Sequence, residues 1–69
     1  MTNLPVPRVE IRPIAWGNAF AIDRVEFDDV IFQCFADYIT EAEEKAISLA
    51  KRHNFPVFDT NGKCVWRPE

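Results

Sequence analysis

The sequence predicts a small α+β domain: an antiparallel sheet in the order β-β-β-α-β-β, with one helix packed on one face. Three observations lead there. One stretch, Glu41 to His53, carries apolar residues at helical spacing between a start signal and a stop signal. The segments on either side are rich in β-branched and aromatic residues and are separated by turn residues. With 69 residues the chain has room for one core, so residues 1–69 read as one domain.

The first eight residues, with Pro5 and Pro7, read as an extended arm, because proline removes a donor and disfavours helix before it. Val9 to Trp16 is the first predicted strand, with Pro13 marking an edge position or a bulge. Gly17 and Asn18 suit a two-residue type II′ turn, and Ala19 to Phe27 returns as the second strand. Asp28 and Asp29 make the next turn, and Val30 to Tyr38 is the third strand.

Thr40 is a good helix N-cap, and Glu43 three residues later completes a capping box. Glu41, Glu43 and Glu44 favour the positive end of the helix dipole, while Lys51 and Arg52 favour the negative end. Ala42, Ala46, Leu49, Ala50 and His53 form one face, bordered by Ile47. Asn54 suits the left-handed position after the helix, and Pro56 bars its continuation. Val57 to Asp59 and Lys63 to Arg67 then form a hairpin around Asn61 and Gly62, a pair suited to a turn with two positive φ angles.

Two-residue turns set a register in which Trp16 faces Ala19 and Arg12 faces Asp23, a cross-strand ion pair. One sheet face then carries Ile14, Trp16, Ala21, Val25, Phe27, Val30, Phe32, Cys34, Ala36 and Tyr38. The other carries Ile11, Pro13, Ala15, Phe20, Ile22, Ile31 and Phe35, mixed with Arg24, Glu26, Gln33 and Asp37. One helix with an alanine stripe covers only one of these faces. The first is expected to be the core. The second needs a curled sheet, the arm or another molecule to cover it. A one-residue slip at either turn exchanges the two.

Chemistry finds little to work with. His53 is the only histidine and sits where an imidazolium suits the helix dipole. Cys34 and Cys64 lack the close-spaced partners of a zinc site and read as free thiols of a reducing cytoplasm. Gly17 and Gly62 both serve turns, so no glycine-rich phosphate loop is present. No apolar run approaches the length of a membrane-spanning helix, and no signal-peptide core precedes the strands. Neither a cofactor, a metal site nor a catalytic group is expected.

The charge is more informative. The net charge of −3 argues against a phosphate-binding surface. The acidic excess lies in the first half, where three arginines meet six acids. Asp23, Glu26, Asp28, Asp29 and Asp37 could meet a basic groove on a partner or simply solvate the turns. Trp16 and Trp66 suit either core packing or anchoring a partner.

Thr40, Glu41, Ala42, Ala46, Leu49, Ala50 and the turn from Asp59 to Gly62 carry a resemblance to small uncharacterised bacterial β-β-α-β-β domains. In size and element order the acidic chain also looks like some small phage-encoded anti-CRISPR proteins. That resemblance implies occlusion of a site on a larger nuclease or guide complex and assigns no residue.

The expected function is therefore a non-catalytic protein-binding module, an inhibitor or adaptor of phage or bacterial type. Its expected partner-binding residues are Phe20, Ile22, Glu26, Asp28, Asp29, Ile31, Phe35 and Asp37, facing a protein, a nucleic-acid-processing complex or a second copy. The alternative is a nucleic-acid accessory protein with sheet aromatics as stacking platforms and Arg12, Arg24, Lys51, Arg52 and Lys63 for phosphates.

Overall fold

A computed structural model describes residues 4–14 and 19–68. The element order is the expected one: β1 (Arg8–Pro13), β2 (Phe20–Val25), β3 (Val30–Ala36), α1 (Ile39–His53), β4 (Val57–Phe58) and β5 (Cys64–Trp66). The five strands form one sheet in the spatial order β3-β2-β1-β4-β5. Three of its pairings are antiparallel, but β1 and β4 run parallel, so the sheet is mixed. The helix is the reason. It carries the chain back across the sheet, and β4 then joins β1 in the same direction, as a crossover connection requires.

The hairpin strands pair in registers other than the expected ones. Pro13 pairs with Phe20, and the Ile14 N–H donates to the Ala19 carbonyl at 3.1 Å. The expected type II′ turn at Gly17 and Asn18, and the pairing of Trp16 with Ala19, lie outside the described residues. Between β2 and β3, Val25 pairs with Val30 and the Glu26 N–H donates to the Asp29 carbonyl at 2.8 Å. The β1–β2 register differs from the expected one by two residues, and so does the β2–β3 register as far as Asp23 and Phe32, beyond which it slips by one. A shift of two leaves the side chains of β1 and β2 on their own faces. Arg12 therefore still reaches Asp23, now on the diagonal, and the ion pair forms.

The helix covers the face expected to be open. The core unites Val9 and Ile11 of β1, Ile22 of β2, Ala36 of β3 and Val57 of β4 with Ala42, Ala46 and Ala50 of α1. Strand β1 explains the choice. It is central, and it alternates apolar Val9 and Ile11 with charged Arg8, Glu10 and Arg12. Only its odd-numbered side can be buried cheaply. The three alanines are fully buried, so the helix lies close against the sheet.

Both helix ends are defined, one of them differently from the sequence expectation. Tyr38 is the N-cap and makes no side-chain capping bond, so the helix begins before Thr40 and the Thr40–Glu43 capping box is not formed. Glu41 reaches back instead, accepting a hydrogen bond from the Asp37 N–H at 3.1 Å. At the other end Asn54 is left-handed at φ 61°, and the Phe55 N–H donates to the Ala50 carbonyl.

The last hairpin also closes in its own way. Gly62 has φ 79°, but Asn61 is not among the positive-φ residues, which excludes a type I′ turn. The Asp59 carboxylate instead accepts from the N–H groups of Asn61 and Lys63, both at 2.9 Å. Three loop residues ending in a left-handed glycine are the other common hairpin closure.

Candidate binding face

The site is built by one irregularity in β3. Ile31 and Phe32 pair with Arg24 and Asp23, but Cys34 pairs with Ile22, so Gln33 is an extra residue and the register slips. An inserted residue reverses the alternation beyond it. Before the bulge the even-numbered Val30 and Phe32 point away from the helix. After it Cys34 and Ala36 turn toward the helix, and Phe35 points away.

Phe32 and Phe35 consequently share the open face, with ring centroids 4.5 Å apart and planes tilted by 48°. Phe32 is 46% exposed, Phe35 58% and Val30 67%. They form an apolar strip along an edge strand. Farther across the same face the surface is no longer open: β2 contributes the buried Ala21 and Asp23 and the half-buried Val25, and β1 contributes Arg8, Glu10 and Arg12.

The charges of that face are largely matched among themselves. Arg8 pairs with Glu10 at 2.8 Å, and Arg12 pairs with Asp23. Asp23 is 3% exposed, and its Oδ1 has no hydrogen-bond donor among the described residues. The arm approaches the β1 side, where the Arg8 Nη1 donates to the Pro5 carbonyl at 3.3 Å. Leu4 and Glu10 line a groove with the turn from Asp59 to Gly62.

The outer edge of β3 is partly occupied by side chains. Gln33 Nε2 donates to the Phe32 carbonyl at 3.4 Å, and Lys45 Nζ donates to that of Phe35 at 3.0 Å. Such cover blunts edge-to-edge strand addition. The available surface is the face of β3 rather than its edge.

The expected partner-binding residues are accordingly divided. Ile22 is fully buried in the core, Phe20 packs against the core, and Ile31 pairs with Arg24 on the helix side. These three do not form a patch with Phe35, because the helix covers their face and the bulge carries Phe35 to the other. Glu26 forms an ion pair with Arg24 at 2.6 Å. Asp28 and Asp29 are exposed just before β3, and Asp37 just after it. None of these three aspartates has an ion-pair partner among the described residues. Phe32 and Val30 were missed as partners of Phe35, since nothing in the composition around Gln33 marks a bulge.

Other polar groups are accounted for locally. His53 Nε2 lies 3.2 Å from Arg24 Nη1, and its ring stacks on Phe55 with centroids 5.3 Å apart. Cys34 and Cys64 are free and lie in the two edge strands, β3 and β5. Among the described residues no group of three or more His, Cys, Asp or Glu is placed to hold a metal ion. Trp66 packs against the core, whereas Trp16 lies outside the described residues. Among the described residues no helix is long and apolar enough to cross a membrane.

Comparison with protein-family models, with curated proteins and with solved structures finds no match for this chain.

Proposed function

We propose that the protein is a non-catalytic binding module that docks another protein on the open face of its sheet. The observation that carries this reading is the exposed Phe32–Phe35 pair, extended by Val30 on the same strand. Fully burying such a side chain is worth roughly 1.5–3 kcal/mol, and clustered aromatic residues are the usual anchors of protein interfaces. The anchors sit on a sheet held from behind by the helix, so little ordering is required when a partner arrives. Such a module acts by occupying a surface of a larger protein, as an inhibitor or adaptor does.

The nucleic-acid reading has weaker support. Stacking platforms need cations on the same surface to follow a phosphate backbone. Arg24, Lys51 and Arg52 belong to the helix side, and Arg12 is engaged by Asp23. The phenylalanines lie opposite the first group.

Phe35→Asp tests the reading. The wild-type chain and the variant, both immobilised and both checked by circular dichroism, are exposed to the same bacterial lysate. A protein retained by the wild type and lost from a folded Phe35→Asp chain is the expected outcome. Equal retention by the two would overturn the assignment of this face.

A further inference from the structure

The open strip has an acidic end on each side. Asp28 and Asp29 precede β3 and Asp37 follows it, exposed and without ion-pair partners among the described residues. Between them run seven strand residues, about 20 Å of chain at the usual rise. The cations on the rest of this face, Arg8 and Arg12, are already engaged by Glu10 and Asp23. The strip is therefore apolar in its middle and negative at both ends.

We propose that its occupant is a segment of another protein with an apolar or aromatic centre and lysine or arginine on both sides of it. This rests on the open face being the binding surface and adds what must bind there. A second copy of the chain fits poorly. If β3 of one copy stacks antiparallel on β3 of another, Asp28 and Asp29 lie over Asp37. If it stacks parallel, each acidic end lies over itself. Like charges meet in both cases, which is unfavourable at an interface that excludes water. A basic-flanked segment meets opposite charge at both ends, with cations about 20 Å apart. Because Gln33 and Lys45 engage the Phe32 and Phe35 carbonyls at the β3 edge, the segment lies across the Phe32–Phe35 face and does not extend the sheet.

A random-sequence peptide display library, selected on the immobilised full chain, provides the test. Enriched peptides are expected to carry large apolar residues flanked by Lys or Arg. A synthetic peptide of the enriched pattern should bind more weakly as salt rises. The triple variant Asp28→Asn, Asp29→Asn, Asp37→Asn should weaken it about tenfold or more at low salt, and Phe35→Asp should remove binding. Circular dichroism confirms that each variant is folded. Enrichment without basic flanks, or no enrichment over bare support, would overturn the proposal. So would unchanged affinity in the triple variant. If a peptide without basic flanks, or one that the triple variant binds unchanged, is lost from Phe35→Asp, the face stands and only the partner chemistry fails. If Phe35→Asp binds like the wild type, both fail. A wild-type chain that forms a dimer by sedimentation, lost in Phe35→Asp, would replace the basic segment with a second copy.

Discussion

Phe32 and Phe35 are three residues apart in one strand, yet their rings sit 4.5 Å apart on the same side of the sheet. In regular alternation they would face opposite ways. The extra residue at Gln33 creates the pair, and with it the contrast between an apolar open strip and a packed opposite face.

That contrast predicts two different results for neighbouring apolar substitutions. Phe35→Asp should leave the fold intact, with a midpoint of unfolding close to wild type, because the new charge meets water. Ile22→Ala, directly beneath the helix, should cost about 2–5 kcal/mol by chemical denaturation. Unfolding of the Phe35 variant, or tolerance of the Ile22 variant, would place the two faces the other way round.

Two left-handed positions and one ion pair were legible in the sequence, whereas the helix cap, the closure of the last hairpin and the choice of face were not. Asn54 and Gly62 mark their left-handed positions because only nearby backbone geometry is involved. The Arg12–Asp23 pair survives the changed register because a two-residue shift preserves side-chain direction. The covered face depends on which strand is central, a property of the whole topology. Strand β1 held the signal in its charged even-numbered residues, but β2 and β3 alone left the question balanced. The bulge left no trace, since Gln33 is neither glycine nor proline.

The helix start gives a second prediction. Thr40→Ala should change stability by less than about 0.5 kcal/mol, since Thr40 is exposed and caps nothing. Glu41→Gln should be the sensitive change. The Asp37 N–H is the first cause that holds the Glu41 carboxyl below its usual range, followed by Lys45. A depressed folded-state value contributes stability above the unfolded-state value and loses it as pH falls through the folded one. The wild type should therefore lose more stability than Glu41→Gln across the acid range. Parallel pH profiles for the two chains would remove Glu41 from this role.

The final hairpin gives a third. An added Cβ at Gly62 meets nothing within 4 Å, so substitution there is penalised by the backbone alone. Gly62→Ala should cost about 1–2 kcal/mol at φ 79°. Gly62→Asn should cost less, because asparagine tolerates the left-handed region. Asn61→Ala should be tolerated, as Asn61 is not held at positive φ. Thermal melts of the three variants in that order of stability check the closure; a large loss in Asn61→Ala would restore the type I′ turn.

The last prediction concerns the buried carboxylate of the open face. Asp23 is almost wholly buried, flanked in register by Glu10 and Phe32, and its one cation among the described residues is Arg12, whose side chain is half exposed. Exposure of the guanidinium weakens the attraction, but burial of the carboxylate makes its loss expensive. Arg12→Ala leaves that carboxylate beside Glu10 with neither cation nor donor among the described residues, so it should destabilise the chain by about 1–3 kcal/mol. Removing both groups also removes the unpaired charge. The double variant Arg12→Ala, Asp23→Ala should therefore be more stable than the sum of the single losses requires. A double-mutant cycle by urea denaturation measures this directly. Additive losses would mean that Arg12 does not neutralise Asp23, and that the open face carries one more free negative charge beside the phenylalanines.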